Sequence, residues 1–330
     1  MSGFKRPREA MASLTGMDIV SVEQFDEGML RLVFDTASEM KRMVRTRKKS
    51  DLLRGHILAN VFFEPSTRTM CSFDAAMKRL GGEVISVFES SSSSKKGESI
   101  EDTIRCLECY CDVLVLRHPE KGTAAKAAAA SKKPLINAGD GVGEHPTQAL
   151  LDLFTLFSNH PSTTDDLVLD GLNLLLLGDL KHGRTVHSLS LLTSKLSRPP
   201  RLTLVSPEVL RMPASVTDVL RSRGLKLEET AKLEEALPGA DVLYVTRVQR
   251  ERFASADEYD AVKGAYTIDA AIMRTAKSDM IVMHPLPRVD EISTDFDADP
   301  RAQYFDQMEN GMYVRMALLA LVLGADLSKL

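Results

Sequence analysis

The chain has 330 residues, of which 44% are hydrophobic and 27% are charged, values typical of a globular protein with about two domains. Its net charge of −4 argues against general binding to nucleic acid, so recognition of anions must depend on local basic clusters. No uninterrupted apolar stretch reaches the roughly 18 residues of a membrane span, and no apolar segment follows the basic N-terminal residues as in a secretory signal.

The first half of the chain alternates between helical and strand-like apolar patterns. The predicted elements are helices within 19–43 and at 69–80, 100–110, 126–132 and 149–157, and strands at 57–63, 83–88, 112–116 and 135–138. The polar stretch at 159–170 is predicted to be a surface loop at a domain border.

The second half begins the same alternation again. The predicted strands are 172–177, 202–205, 242–245 and 280–283, and the predicted helices are 186–196, 213–223, 233–237 and the strongly apolar 311–323. Repeated strand–helix–strand units predict an α/β fold with two similar domains, each a parallel sheet flanked by helices. Ligands bind beyond the carboxyl ends of the strands in such sheets, so the active site is predicted in the cleft between the domains.

The most informative run lies where the strand at 57–63 ends and the next helix begins. It consists of Ser66, Thr67, Arg68 and Thr69. Free backbone N–H groups and the positive end of the helix dipole suit a phosphate or carboxylate there, and Arg68 adds a planar fork of donors. The alternative is that Ser66 or Thr67 only caps the helix. Because the run has no glycine, it is not a P-loop for a nucleotide.

Polar side chains also follow other predicted strands. They are Arg117, His145 and Gln148 in the first half, and Asp179, Arg184, Arg247, Gln249 and the Pro285-Leu286 turn in the second. Most arginines are surface charges, but several at strand ends in both halves suggest two facing sites for anions. The sequence shows no G-x-S-x-G, no G-x-G-x-x-G and no metal-ligand set, so no cofactor is expected. We therefore predict transfer between two anions by positioning and electrostatics, with phosphate as the leaving group.

The cysteines offer one alternative site. Cys106, Cys109 and Cys111 are closely spaced, but no histidine or further cysteine follows them at the spacing of a zinc site. Buried free thiols are therefore the favoured interpretation for these residues and for Cys71, and no metal is predicted.

Two further segments carry open alternatives. Five serines at 90–94 precede Lys95 and Lys96, and this polar stretch is either a linker or a lid that closes on an anion. The last three residues, Ser-Lys-Leu at 328–330, are either an ordinary tail or an import signal for a peroxisome-type organelle. The predicted location is therefore cytoplasmic by default, with such an organelle as the alternative.

Six motifs together resemble the aspartate carbamoyltransferases, catalytic chains within the aspartate/ornithine carbamoyltransferase superfamily. They lie at 66–69, 117–119, 145–148, 178–187, 246–249 and 284–288, and the resemblance covers about 15–325. It implies the conversion of carbamoyl phosphate and L-aspartate into N-carbamoyl-L-aspartate and phosphate, an early step of pyrimidine biosynthesis. Met70 stands where many bacterial members have arginine, a difference that need not affect the chemistry.

The resemblance also implies a role for each residue at the strand ends. The phosphate would be held by Ser66, Thr67, Arg68, Thr69 and Arg117. The carbamoyl oxygen would be polarised by Thr69, Arg117 and His145, and the carbamoyl amino group held by Gln148 and the carbonyls of Pro285 and Leu286. The aspartate carboxylates would be held by Arg184, Arg247 and Gln249. The departing phosphate would accept the proton of the amine.

In the resembled family, a serine and a lysine from a neighbouring subunit complete each site, and Ser92 and Lys96 match them here. This implies a homotrimer with shared sites, in which Lys96 also contacts aspartate. The closing helix would return to the first domain, giving a carbamoyl-phosphate domain of 1–150 plus 306–330 and an aspartate domain of 151–305. Other pyrimidine-pathway enzymes are possible partners, whereas nucleic acid and membranes are not expected.

Two alternatives to this function exist. Ornithine carbamoyltransferases share the Ser-Thr-Arg-Thr and His-Pro-x-Gln motifs, but they carry Cys-Leu-Pro where this chain has His284 before Pro285. Arg247 and Gln249 also suit a dicarboxylate better than ornithine. A catalytically silent scaffold of a pyrimidine-pathway assembly is the second alternative, although every expected ligand side chain is present.

Overall fold

A computed structural model describes residues 13–88, 97–163, 167–248, 250, 253 and 255–330. The strands are β1 (Ile57–Phe62), β2 (Glu83–Phe88), β3 (Val113–His118), β4 (Leu135–Asp140), β5 (Asn173–Leu177), β6 (Arg201–Val205), β7 (Leu227–Thr230), β8 (Val242–Val245) and β9 (Ile281–Met283). The helices are α1 (Glu27–Arg47), α2 (Thr67–Arg79), α3 (Ile100–Leu107), α4 (Thr123–Ala130), α5 (Pro146–Asn159), α6 (Arg184–Thr193), α7 (Ala214–Ser222), α8 (Leu233–Ala236), α9 (Ala256–Asp260) and α10 (Tyr304–Val322).

The first four strands form a parallel sheet in the order β2-β1-β3-β4. Phe62 at the end of β1 pairs with Arg117 near the end of β3, so the carboxyl ends of these strands lie side by side. This register brings the loop that follows β1 next to the side chain of Arg117.

The other five strands form a second parallel sheet in the order β7-β6-β5-β8-β9. Leu177 at the end of β5 pairs with Val245 at the end of β8, and Tyr244 pairs with Met283 at the end of β9. The segments that follow β5, β8 and β9 therefore all begin at the carboxyl end of this sheet.

Both sheets are covered by helices on two faces, which explains why their central strands are mostly apolar, with buried polar exceptions such as Asn60 in β1 and Thr203 in β6. In β3, Val113 and Val115 belong to the core shared with α1, α5 and α10, whereas Leu114 and Leu116 pack with α3 and α4 on the opposite face. Successive side chains of a strand point to opposite faces of the sheet, and this alternation produces the division. Two parallel-sheet layers flanked by helices are the fold predicted from the sequence.

Two helices connect the halves of the molecule. The helix α5 leaves β4 of the first sheet and packs against α6 of the second half, while α10 packs on α1, α2 and α5. Because α5 continues unbroken through residue 150, the helix itself spans the predicted domain border. The division into 1–150 plus 306–330 and 151–305 stays a prediction.

The prediction of buried thiols is wrong for three of the four cysteines. Cys71, Cys106 and Cys109 are exposed, because they lie on the outer side of α2 and α3 or in the turn after α3, and only Cys111 is buried. Burial raises the pKa of the Cys111 thiol to about 11. Within the described ranges, no three His, Cys, Asp or Glu residues are grouped to hold a metal, and no helix has the length and apolarity to cross a membrane.

Candidate active site

The carboxyl ends of the two sheets face a common cleft with a volume of about 560 Å³. Its side chains come from the end of β3, from the segments after β1, β4, β5, β8 and β9, and from α10. The principal polar lining residues are Glu64, Ser66, Thr67, Arg68, Thr69, Ser72, Arg117, His145, Gln148, Arg184, Thr185, Thr246, Arg247, His284 and Arg315.

Three helices begin at this cleft, namely α2, α5 and α6. Their N-cap residues are Ser66, His145 and Gly183, all of which line the cleft, and none has a side chain that caps the helix. The interpretation of Ser66 as a mere cap is thus not supported by a capping hydrogen bond. Uncapped N–H groups and three positive dipole ends make the cleft suitable for anions.

Guanidinium groups dominate the charge of the cleft. Burial lowers the pKa of Arg68, and the nearby charges of Arg117 and Arg247 lower it further. Arginine remains protonated in proteins, so these like charges persist side by side. A bound phosphate or carboxylate would neutralise this repulsion, and planar guanidinium groups bind such oxyanions with two parallel hydrogen bonds.

Glu64 connects arginines from the two halves of the molecule. Its Oε1 accepts a hydrogen bond from Nη2 of Arg117 at 3.1 Å, and its Oε2 lies 3.7 Å from Nη1 of Arg184. Arg117 also donates to the carbonyl of Ala138 at 3.0 Å, and Arg184 donates to the carbonyl of Gly141. These contacts orient two guanidinium groups from opposite sheets toward the same space.

Gly139 allows these two arginines to approach the backbone of β4. Its φ of +116° is rarely adopted by residues with a side chain, and a Cβ there would lie 3.1 Å from Nη1 of Arg117 and 3.2 Å from Nη2 of Arg184. These contacts are tight, so a Cβ at this position would require the guanidinium groups to shift by a few tenths of an ångström.

His145 begins α5 and is almost fully buried in the cleft wall. Burial lowers its pKa well below the usual value, and the charges of Arg117, Arg184 and Arg315 lower it further. The imidazole is therefore neutral at physiological pH, with one ring nitrogen available as a hydrogen-bond donor.

The turn after β9 contributes backbone rather than side-chain groups. The N–H of Leu286 donates to Nδ1 of His284 at 2.7 Å, and Nε2 of His284 lies 2.7 Å from Oε1 of Glu291. Since Nδ1 accepts, the proton of the neutral ring is on Nε2. Leu286 has a φ of +53°, a costly conformation for a residue with a side chain, and the bond to His284 helps to hold it.

Most residues predicted from the sequence line this cleft. They are Ser66, Thr67, Arg68, Thr69, Arg117, His145, Gln148, Arg184, Arg247, Pro285 and Leu286. Ser92, Lys96 and Gln249 lie outside the described residues. Asp179 is fully buried instead, where its carboxylate accepts the N–H of His182 at 2.9 Å.

The sequence interpretation missed two charged residues of the cleft, Glu64 and Arg315. Arg315 is buried within α10, where Nη1 donates to Ser72 at 2.8 Å and the guanidinium lies over the ring of Phe73. A single arginine inside a strongly apolar helix was a signal that could have identified it, because charged residues are almost never buried without a partner.

Comparison with known families agrees with this geometry. The aspartate/ornithine carbamoyltransferase carbamoyl-P binding domain matches residues 17–158, and the Asp/Orn binding domain of that family matches residues 170–322. The chain belongs to the aspartate/ornithine carbamoyltransferase family. Its two-domain parallel-sheet architecture is that of the family, so the fold predicted from the sequence is confirmed.

Individual relatives within this family are aspartate carbamoyltransferases. The catalytic subunit from Thermococcus gammatolerans is 49% identical over 94% of this chain and 98% of that protein. The crystal structure of aspartate transcarbamoylase from Trypanosoma cruzi with carbamoyl phosphate and aspartate is 46% identical, covers 95% of this chain and 98% of that chain, and gives a TM-score of 0.89. The multifunctional protein pyr1-3 of Dictyostelium discoideum is 52% identical over 95% of this chain, but the chain spans only 14% of its length.

Proposed function

We propose that this chain catalyses carbamoyl transfer from carbamoyl phosphate to L-aspartate, giving N-carbamoyl-L-aspartate and phosphate in pyrimidine biosynthesis. The observation that carries the proposal is the cleft in which arginines from both sheets and three helix N-termini converge. Two anionic substrates can be bound there with their reacting groups adjacent. The relatives named above support the same reaction.

The proposed phosphate site lies at the start of α2. Ser66, Thr67 and Thr69 would supply short donors, and Arg68 and Arg117 would supply charge. The α-amine of aspartate would attack the carbamoyl carbon, a C–N bond would form, and the C–O bond to phosphate would break. The departing phosphate would take the proton that the amine loses.

Negative charge develops on the carbamoyl oxygen during the attack, and donors must therefore be placed around it. Thr69, Arg117 and neutral His145 are proposed as these donors. A histidine kept neutral by burial donates a hydrogen bond without competing with Arg68 and Arg117 for the phosphate charge.

The aspartate site is proposed at the second sheet. Arg184 and Arg247 line this side of the cleft, and Gln249 follows two residues after Arg247 in the sequence. Two guanidinium groups suit the two carboxylates of aspartate, whereas the cationic side chain of ornithine would meet like charges.

The decisive experiment measures carbamoyl transfer to L-aspartate and L-ornithine in parallel. We expect product with aspartate only; product with ornithine would mean that the second half of the site is assigned wrongly. Product with neither, from folded protein, would favour a catalytically silent scaffold.

Arg68→Ala should abolish carbamoyl transfer without unfolding the protein, whereas Arg54→Ala, at an exposed position, should leave the transfer rate unchanged.

We also propose a homotrimer in which Ser92 and Lys96 enter the site of a neighbouring subunit. The support is the edge strand β2, on which Ile85 and Phe88 are 36% and 41% exposed. An exposed apolar edge strand is a surface that proteins usually cover. Because β2 ends at Phe88, an interface there would place the following segment near the neighbouring chain.

For partners and location, we propose other pyrimidine-pathway enzymes and, by default, the cytoplasm. The multifunctional relative supports the first proposal. The import-signal alternative needs an accessible tail; Ser328 and Lys329 are exposed, and the carbonyl of Leu330 accepts a hydrogen bond from Arg47 at 3.0 Å. Imaging the tagged protein with and without residues 328–330 would test it, since only a working signal would make location depend on them.

A further inference from the structure

Asp152 is a buried carboxylate to which the proposed mechanism gives no part. It is fully buried in α5, one helical turn after Gln148, so the two side chains lie on the same face of the helix. Gln307 of α10 and Tyr244 of β8 also reach it. Asp152 therefore lies where the first-half helix α5, the closing helix and the second sheet meet.

Three donors surround this carboxylate. Its Oδ1 accepts from Nε2 of Gln148 at 2.8 Å and from Nε2 of Gln307 at 2.6 Å, and its Oδ2 accepts from the hydroxyl of Tyr244 at 2.7 Å. Burial raises the pKa of Asp152 to about 7, and the hydrogen bonds from the three donors oppose this rise. The three donors therefore favour the ionised form of Asp152, whose fraction increases as the pH rises above 7.

An ionised carboxylate can only accept hydrogen bonds, and this fixes the orientation of both amides. Because Nε2 of Gln148 is bonded to Asp152, its Oε1 is the amide atom left for the cleft that the residue lines. In the same way, Oε1 of Gln307 is turned to the N–H of His284, from which it accepts at 2.9 Å. His284 begins the turn whose carbonyls, on Pro285 and Leu286, are proposed to face the carbamoyl amino group.

We propose that Asp152 is a positioning residue that makes the carbamoyl amino pocket a set of acceptors only, and so selects a carbamoyl group over acyl groups without N–H donors. The proposal rests on the function proposed above. Its physical basis is that a buried acceptor facing a methyl group in place of an amino group loses its hydrogen bond and is not compensated. One carboxylate thereby orients both sides of the pocket, Gln148 directly and the 284–287 turn through Gln307.

The test compares carbamoyl phosphate with acetyl phosphate, which has nearly the same shape but a methyl group in place of the amino group. Transfer to L-aspartate is measured with each at pH 8, or acetyl phosphate is measured as a competitive inhibitor if it is not turned over. In Asp152→Leu the amide of Gln148 loses its fixed partner and can turn its NH₂ group toward the substrate. We expect the preference for carbamoyl phosphate to fall about 10- to 100-fold.

Two controls separate positioning from general damage. Tyr244→Phe removes the hydrogen bond to Oδ2 of Asp152 and the contacts of the same hydroxyl with the side chains of Gln148 and Thr185. Nε2 of Gln148 keeps its bond to Oδ1 of Asp152, so the preference should stay within about threefold of the wild type. The inhibition constant of inorganic phosphate should be unchanged in Asp152→Leu, because the proposed phosphate ligands are elsewhere in the cleft. If Asp152→Leu does not fold, Asp152→Ala takes its place with the same expectation.

If a folded variant that still binds phosphate loses transfer activity equally with carbamoyl phosphate and with acetyl phosphate, the proposal is overturned and Asp152 has only a structural role. This outcome differs from failure of the proposed function, in which the wild-type protein itself would not transfer a carbamoyl group to aspartate.

Discussion

Single residues decide how closely the guanidinium groups of the cleft can approach one another. Arg117 and Arg184 come from different sheets, yet both lie against Gly139, and Glu64 lies between them. A side chain at position 139 would require both guanidinium groups to shift by a few tenths of an ångström. The geometry of the proposed site thus depends on a residue that has no side chain of its own.

Gly139→Ala should reduce carbamoyl transfer by at least about tenfold, because its Cβ would push against both guanidinium groups. The positive φ should also cost about 1–2 kcal/mol of stability. The matched control is Gly224→Ala, since Gly224 has a φ of +84° but no atom within 4 Å of its Cβ position. Urea unfolding should show similar losses for both variants, and steady-state kinetics should show an effect for Gly139→Ala alone; equal activities would contradict the assignment.

At the scale of elements, the turn after β9 combines a strained backbone with a buried histidine. Burial lowers the pKa of His284, and the charges of Arg288 and Arg68 act in the same direction, whereas Glu291 opposes them. The folded protein therefore keeps this ring neutral, while the unfolded chain binds a proton below about pH 6.5. Stability from this group is present above pH 6.5 and is lost as the pH falls below it.

His284→Asn should flatten this acid dependence. The Oδ1 of asparagine can accept the N–H of Leu286 as Nδ1 does now, so the turn is kept but the titrating group is removed. Between pH 7.5 and 5.5 the free energy of unfolding should fall more in the wild type than in the variant, because the folded wild type binds this proton less readily than its unfolded chain does. Urea unfolding at both pH values measures this difference. An identical fall in the free energy of unfolding for the two proteins would show that His284 does not contribute to the acid dependence of stability.

The elements that the sequence predicted well are those with an apolar run or with clear breaks at both ends. The strands β2 and β8 begin and end as predicted. The buried strand β8 is apolar throughout. The exposed edge strand β2 is bounded by Gly81-Gly82 before it and by the serine run in the sequence after it. In contrast, β7 was missed, since Leu227–Thr230 lies at a sheet edge and is largely polar. The start of α10 was placed at residue 311 instead of Tyr304 because its first turns are polar and Gly311 disfavours a helix.

The sequence predicts those site residues that follow strands, because the carboxyl ends of parallel strands lie side by side. The pairing of Phe62 at the end of β1 with Arg117 near the end of β3 is an example. Arg315 could have been identified as a single arginine in a strongly apolar helix. Asp152 and Gln307 also lie inside helices, but nothing in their local sequence shows which face of the helix points to the cleft. Their roles depend on the packing of α5 against α10, which no local pattern reveals.

At the scale of the whole molecule, the proposed trimer can be tested by mixing inactive subunits. Arg68→Ala and Lys96→Ala damage opposite sides of a shared site, so a mixed trimer contains some sites with neither substitution. Random mixing in equal amounts should restore about a quarter of the wild-type activity. Absence of recovery after subunit exchange, verified by mass spectrometry, would contradict a shared site.

The crowding of guanidinium groups in the cleft also has a consequence for folding. Bringing Arg68, Arg117 and Arg247 together opposes the folded state, and any anion that binds among them favours it. Inorganic phosphate at a hundred times its dissociation constant should stabilise the protein by about 2.7 kcal/mol and raise its melting temperature by about 5 °C. The rise should be much smaller in Arg68→Ala. A product of the proposed reaction would then favour the folded state of the chain that releases it, so that the folded fraction increases with the phosphate level of the surroundings.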